Sequence, residues 1–251
     1  MFTKLPNLLF ISFVLLLFLS CSKDDVEANT AVVCQTLETG TTIMPLGASR
    51  VQGFPPFFES YRYELWKDLL DGGWEFDFVG TNEDIVVYEE YKNYCFDNDH
   101  EGRSGWTAAK IDENIDTWLD QSKTPDIVLF SSPGGNDILN GGDVADALVH
   151  VNSIIDKIQA HSPNVTILIE QLAPGKTAYM NEEGLTAIFS QMKTIIGEIA
   201  QNQTTATSKV VAVDMATGFS DDFLADDIHY NKAGAAFIAE RYYDALVPFL
   251  E

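Results

Sequence analysis

The sequence predicts an α/β fold, a three-layer sandwich in which a five-stranded parallel sheet has helices on both faces. Two observations lead to this fold. From Thr41 onward, short apolar runs of β type alternate with amphipathic stretches of helical length, and such alternation is typical of βαβ units. The predicted strands, for example Ile127–Phe130, are apolar at every position, as expected for strands that are buried on both faces.

Five strands and five helices are predicted in strict alternation. The strands are expected at residues 41–46, 74–80, 125–132, 164–172 and 209–215. The helices are expected at residues 60–73, 107–121, 143–162, 182–200 and 231–250. The chain has no internal repeat of about 20 to 50 residues, which excludes a solenoid or a propeller.

The N-terminal segment has the pattern of a signal peptide. In residues 1–20 a single lysine precedes an apolar run from Leu8 to Leu19, and a small residue stands just before Cys21. The run is short for a transmembrane helix, which needs about 20 apolar residues. Residues 1–20 are therefore expected to be removed.

Cys21 is expected to carry a lipid. Its position after Phe-Leu-Ser resembles the lipobox of bacterial lipoproteins, although an ordinary secretory signal with an incidental cysteine stays open. The Lys-Asp-Asp that soon follows is similar to the surface tag of Bacteroidetes lipoproteins. We expect an exported outer-membrane lipoprotein, facing the periplasm or the cell surface, with residues 21–40 as lipidated N-terminus and tether.

The remaining chain, residues 41–251, suits a single domain and is strongly acidic. The formal net charge of the whole chain is -23, and loss of Lys4 with the signal makes it one unit more negative. Nucleic acid and anionic membrane surfaces are thus excluded as partners, and a monomer is expected. Cys34 and Cys95 have no metal-binding spacing; they could form a disulfide or stay free.

Candidate catalytic residues follow the ends of three predicted strands, where ligands bind in open parallel sheets. Ser49 comes after a glycine-bearing turn and could be a nucleophile or an ordinary cap residue. Asn136 follows Gly134 and Gly135 and could offer its amide to an oxyanion, or cap a helix. Asp226-x-x-His229 could pair a carboxylate with an imidazole, and a second copy of this motif ends at His100.

Together these blocks resemble the SGNH hydrolase superfamily, the GDSL esterases, over residues 41–250. The resemblance implies a flavodoxin-like fold in which Ser49 is the nucleophile, His229 its base and Asp226 the orienting acid. It also implies an oxyanion hole made by the amides of Ser49 and Gly105 and the Asn136 side chain. The family has aspartate where this chain has Ala48, which puts rate and local rigidity in question.

The resemblance further implies a serine esterase that needs no metal and no organic cofactor. The segment from His100 to Trp106 is similar to that of carbohydrate-active members, so we expect short acyl groups, acetyl above all, on a carbohydrate. A lysophospholipase or other lipid esterase, and a non-catalytic glycan-binding lipoprotein, stay open. The residues expected to contact substrate are Arg50, His100, Arg103, Trp106 and Asp137. Aromatic residues within 54–63 could form a wall for a sugar ring, or close the core or a lid.

Overall fold

A parallel sheet forms the centre of the computed structural model, which describes residues 34–250. Its strands are β1 (Thr41–Gly47), β2 (Phe76–Phe78), β3 (Glu101–Gly102), β4 (Ile127–Phe130), β5 (Thr166–Gln171) and β6 (Lys209–Asp214). The order across the sheet is β2-β1-β4-β5-β6, and the two-residue β3 pairs with the end of β1. With β3 set aside, this is the flavodoxin-like order, so the five-stranded prediction is confirmed.

The register of the strands places their carboxyl ends at one edge. Leu46 of β1 pairs with Phe130 of β4, and Phe130 pairs with Ile169 of β5. The chain therefore leaves β1 towards Ser49 and leaves β4 towards Asn136 at the same edge of the sheet.

Helices cover both faces of the sheet. They are α1 (Ser49–Gln52), α2 (Arg62–Gly72), α3 (Ala108–Gln121), α4 (Gly135–Leu139), α5 (Val144–His161), α6 (Thr177–Glu182), α7 (Leu185–Gln203) and α8 (Lys232–Leu246). The long helices α2, α3, α5, α7 and α8 are the five that the sequence predicts. The short helices α1, α4 and α6, of four, five and six residues, were not predicted, because less than two turns shows no helical periodicity.

Two apolar cores hold these layers together. Alternate strand residues point to opposite faces, so Met44 and Val128 pack with α3, α5 and α7, whereas Ile43 and Ile127 pack with α2 and α8. The helices are amphipathic, and their apolar stripes face the sheet. This arrangement confirms the predicted three-layer sandwich.

The start of the described chain is fixed to the domain. Cys34 and Cys95 form a disulfide, with their Cα atoms 5.1 Å apart. Beside it, the Gln35 N–H donates to the Asn93 carbonyl at 2.9 Å, and the Cys95 N–H donates to the Gln35 carbonyl at 2.9 Å. Residues 34 and 35 were expected in the tether but are held by the domain instead.

The predicted signal peptide and Cys21 lie outside the described residues. Within residues 34–250, no helix is long and apolar enough to cross a membrane.

Candidate active site

Ser49 begins α1 directly after the end of β1. The turn needs glycine at position 47, because a Cβ there would lie 2.8 Å from both the Ser131 carbonyl oxygen and Val51 Cγ2. Backbone N–H groups in the first turn of a helix have no acceptor within the helix. The fold thus places the Ser49 hydroxyl and its N–H at the carboxyl edge of the sheet.

The loop after β6 brings His229 to Ser49. His229 Nε2 lies 2.9 Å from Ser49 Oγ, and His229 Nδ1 lies 2.8 Å from Asp226 Oδ2. Phe58 stacks on the imidazole, with the ring centres 4.0 Å apart. The structure therefore brings together the three residues that the sequence predicts as a triad.

Asp226 also organises the loop that carries His229. Its Oδ1 accepts the N–H of Ile228 at 2.8 Å and that of His229 at 2.7 Å. Partial burial opposes ionisation of Asp226, but these hydrogen bonds and the one to the imidazole outweigh it, and they hold the pKa of the carboxyl below its usual value. An ionised Asp226 can hold the imidazole in one orientation and stabilise its protonated form.

The predicted oxyanion donors surround the same groove. Ser49, Gly105 and Asn136 all line an open groove of about 680 Å³. Asn136 Nδ2 donates to the Trp106 carbonyl at 2.8 Å, and since an amide NH₂ carries two hydrogens, a second remains for a ligand. Gly105 has a φ of +75°, which brings its backbone to the groove in a left-handed conformation that favours glycine.

A small recess adjoins Ser49 and shares Ser49, Asn136 and Ile228 with this groove. Its volume is about 20 Å³, and its apolar wall includes Ala48, Leu139, Leu172 and Phe189. A cavity needs about 10–15 Å³ to hold a water molecule, so this recess fits a group of about one methyl. Ala48, which replaces the family's aspartate, is part of the recess wall.

Arg50 lines this recess, and most of its N–H groups are bonded within the fold. The guanidinium donates to the carbonyls of Ile228 at 2.7 and 3.1 Å, Ala173 at 2.7 Å and Pro174 at 3.2 Å. It also lies 4.7 Å from the centre of the Tyr230 ring. These carbonyls take four of the five guanidinium N–H donors, and a substrate contact by Arg50 stays a prediction.

His100 is buried in a polar cluster away from the groove. The side chain is fully buried, with Nε2 3.1 Å from Asp84 Oδ1 and Nδ1 accepting the Gly102 N–H at 2.8 Å. Burial and the neighbouring Arg62 guanidinium lower the pKa of His100 to about 4. The expected substrate contact by His100 is therefore wrong, since both of its ring nitrogens are used inside the fold.

Three further residues expected to touch substrate have structural contacts. Asp137 Oδ2 accepts the Ala108 N–H at 2.8 Å, at the start of α3. Trp106 packs on Trp118, with ring centres 5.4 Å apart. Arg103 lies over the Trp118 ring and forms an ion pair with Glu101 at 2.9 Å. In that segment the groove is lined by Ser104 and Gly105, which lie between Arg103 and Trp106.

The structure adds groove residues that the sequence did not single out. Tyr179 and Asn140 line the groove, and Ile228 lines both the groove and the recess. Tyr179 lies on the six-residue helix α6, which is too short to show helical periodicity in the sequence. Ile228 lies inside the Asp-x-x-His motif, but an apolar side chain at that position gives no sign in the sequence that it lines a groove.

A family profile and several solved structures match this chain. The profile of the GDSL-like lipase/acylhydrolase family matches residues 85–237, a range that includes Asn136, Asp226 and His229 and begins after Ser49. No curated protein sequence matches this chain.

Solved structures similar to this chain include esterases that act on carbohydrates. A serine-to-alanine mutant of an acetyl esterase, solved with an acetate ion, is 30% identical, with a TM-score of 0.71 over 83% of this chain and 97% of that chain. A carbohydrate esterase of family 3 from Talaromyces cellulolyticus has the same values. A family 3 carbohydrate esterase from Clostridium thermocellum is 29% identical, with a TM-score of 0.66 over 85% of this chain and 96% of that chain.

Proposed function

Because this chain belongs to the GDSL-like lipase/acylhydrolase family, we propose that it removes acetyl groups from carbohydrate esters with Ser49 as the nucleophile. The protein is a carboxylic ester hydrolase of the SGNH superfamily. The observation that carries the proposal is the chain of contacts from Asp226 through His229 to Ser49, at 2.8 and 2.9 Å. These contacts lie at the junction of a methyl-sized recess and a wide groove.

The reaction begins with proton transfer from Ser49 to His229. As Ser49 Oγ attacks the ester carbonyl carbon, His229 Nε2 takes the hydroxyl proton, and Asp226 stabilises the imidazolium that forms. The negative charge on the carbonyl oxygen is met by the N–H groups of Ser49 and Gly105 and by the Asn136 amide. Donors already held in place need no reorganisation as the charge develops.

Collapse of this intermediate gives an acyl-enzyme. The bond between the carbonyl carbon and the sugar oxygen breaks, and the imidazolium returns its proton to that oxygen. His229 then takes a proton from a water molecule, whose oxygen attacks the acyl carbon. The bond between that carbon and Ser49 Oγ breaks, the imidazolium returns its proton to Oγ, and acetic acid leaves and ionises to acetate in solution. Each step uses groups of the chain and water.

The sizes of the two cavities support acetyl as the acyl group. The recess of about 20 Å³ has room for one methyl group, and Leu172 and Phe189 form part of its wall. The groove of about 680 Å³ falls within the range of about 300–1,000 Å³ that small-molecule sites occupy. A short acyl group in the recess and a bulky alcohol in the groove fit these sizes. The similarity to an acetyl esterase and to carbohydrate esterases supports the same assignment.

The proposal is tested by hydrolysis of p-nitrophenyl acetate, butyrate and octanoate and of an acetylated oligosaccharide. We expect acetate to be the best of the three chromogenic esters, and Ser49→Ala to lose about 10⁴-fold or more of kcat. Ser122→Ala is the matched control, since Ser122 follows α3 at the opposite edge of the sheet.

Three other outcomes would contradict the proposal. A preference for octanoate would indicate a lipid esterase. No hydrolysis of any ester would indicate a glycan-binding protein without turnover. Full activity of Ser49→Ala would remove Ser49 from its assigned role.

A further inference from the structure

Two phenylalanines beside the active-site groove expose their rings to solvent. Phe54 is 52% exposed and Phe57 is 69% exposed. Their rings are stacked, with centres 5.3 Å apart and planes inclined by 14°. Phe54 and Phe57 together form an aromatic ridge on the surface. Neither residue belongs to the two apolar cores.

The backbone holds this ridge in place. The Phe54 N–H donates to the Phe58 carbonyl at 3.0 Å, and the Phe57 N–H donates to the Phe54 carbonyl at 2.9 Å. The Glu59 N–H donates to the Tyr230 carbonyl at 2.8 Å, which joins the loop to the residue after His229. The ridge is thus presented by a hydrogen-bonded turn that is tied to the catalytic loop.

The ridge is continuous with the groove at Ser49. Phe54 and Phe58 both line the groove, and Phe58 stacks on His229. Phe57 continues this row of rings beyond the groove. Gln52 and Asn140 also line the groove, so two residues with amide side chains lie next to the apolar rings; the Gln52 Oε1 accepts the Ser104 N–H at 2.8 Å, and its NH₂ group is left for a ligand.

We infer that the Phe54–Phe57 ridge binds a sugar unit of an uncharged polysaccharide whose neighbouring acetylated unit lies at Ser49. This inference rests on the proposed function and extends it from an acetylated sugar to a polymer. A sugar ring has an apolar C–H face and a rim of hydroxyl groups. An exposed aromatic ring matches the face, and the amides in the groove match the rim.

The charge of the chain decides which polymer fits. The net charge of -23 repels polymers that carry carboxylates or sulfates. The same charge disfavours an anionic bilayer, whereas a zwitterionic bilayer stays a competing occupant for an exposed aromatic pair. The continuity of the ridge with the groove favours the polysaccharide, since the proposed substrate already fills that groove.

Binding is tested separately from turnover. Ser49→Ala protein is run in affinity gels that contain neutral arabinoxylan, neutral glucomannan or anionic polygalacturonate. We expect at least one neutral polymer to retard the protein and polygalacturonate not to do so. Adding Phe57→Ala should abolish the retardation, whereas Phe57→Trp should keep it. Val149→Ala is the matched control, because Val149 is an exposed apolar residue (65%) on α5.

Turnover gives a second readout in protein that keeps Ser49. For Phe57→Ala, the ratio of kcat/KM on acetylated polymer to that on p-nitrophenyl acetate should fall about tenfold. Val149→Ala should leave the ratio unchanged. Thermal melting checks that each variant is folded, and Phe57 is exposed enough for truncation to be tolerated.

Three results would overturn the inference. They are no retardation by either neutral polymer, retardation that persists in Phe57→Ala, and flotation with phosphatidylcholine vesicles that depends on Phe57. If Ser49→Ala protein binds the polymer but the wild type hydrolyses no ester, the proposed function is refuted and the ridge assignment stands, because the gel assay does not depend on turnover.

Discussion

Arg50 connects the nucleophile to the loop that carries its base. Arg50 follows Ser49 in the sequence. Its guanidinium donates hydrogen bonds to the carbonyl of Ile228, the residue before His229. It also bonds the carbonyls of Ala173 and Pro174, which follow β5. Because Arg50 is 5% exposed, these bonds are shielded from water. We therefore expect Arg50 to position Ser49 and His229 relative to each other.

We expect Arg50→Met to lower kcat for p-nitrophenyl acetate by about 10- to 100-fold, because small misplacements of reacting groups cost about this much. KM should change little, and Arg50→Lys should be intermediate. Arg241→Met is the control, since Arg241 also bonds a carbonyl, that of Thr217, but at an exposed site. A rise in KM with unchanged kcat would indicate that Arg50 contacts the substrate and does not position the catalytic residues.

Asp97 makes the stability of the protein depend on pH. Burial raises the pKa of Asp97 to about 7, with Asp99 and Asp77 adding to the effect. In the unfolded chain its pKa is about 3.9. The folded state therefore holds the extra proton between these values, and stability falls as pH rises from about 4 to about 7. His100 acts in the opposite sense: its pKa in the fold is about 4, below 6.5, so stability falls as pH drops through that window.

Asp97→Asn should remove the loss of stability with rising pH that Asp97 causes. The amide keeps an oxygen for the Phe78 N–H, which Asp97 accepts at 2.6 Å, and carries no charge to bury. We expect the melting temperature to rise by at least about 2–4 °C at pH 8, the change that 1 kcal/mol gives a domain of this size. At pH 4.5 it should match the wild type. Asp120→Asn, at an exposed site (78%), is the control. An equal difference at both pH values would contradict the assignment.

At the scale of elements, α7 contributes a wall of the small recess beside Ser49. Phe189 lies in the second turn of this 19-residue helix and lines both the recess beside Ser49 and a second pocket of about 500 Å³. Leu172, after β5, is the other residue common to both. These two side chains therefore stand between a methyl-sized recess and a much larger space.

Shortening Phe189 should admit longer acyl groups. We expect Phe189→Leu and Phe189→Ala to raise the ratio of kcat/KM for p-nitrophenyl butyrate over acetate by about tenfold, since differences of one or two methylenes change selectivity by about this much. Ile188→Ala, a truncation of the preceding residue of the same helix, is the control. The idea fails if the folded Phe189 variants keep the wild-type ratio, and the leucine variant guards against a loss of stability in the alanine variant.

At the scale of the whole molecule, a strongly acidic domain with a disulfide fits an exported protein. Disulfides persist in oxidising compartments, and the disulfide between Cys34 and Cys95 fixes the start of the domain. We propose that the segment before it leads to a lipid on Cys21, which lies outside the described residues. The domain would then be anchored by lipid while its charge keeps it away from anionic membrane surfaces.

Expression in a host that processes lipoproteins tests this anchor. The wild type should fractionate with membranes and incorporate labelled fatty acid, whereas Cys21→Ala should do neither. Ser22→Ala is the control next to the proposed site. Membrane fractionation of Cys21→Ala would contradict lipidation at this residue.

The sequence by itself determined the architecture and the place of the site. Periodicity is a local property, so the five long helices and five main strands could be predicted from residue patterns. Because the carboxyl ends of parallel strands lie at one edge of a sheet, the positions of Ser49, Asn136 and His229 after strand ends predict that they lie close together. The short helices α1, α4 and α6 and the two-residue β3 were not predicted, because they are too short to show a period.

Only the tertiary structure decided which side chains near the site reach the groove. Arg50, His100 and Asp137 belong to the motifs, yet each turns to partners in the fold. For Arg50 the partner Ile228 lies 178 positions away, so no local pattern could show that its donors are used. The disulfide between Cys34 and Cys95 was open for the same reason, since spacing along the chain does not determine the distance between two Cα atoms. Local patterns determine elements, whereas contacts between distant residues determine which groups stay free for a substrate.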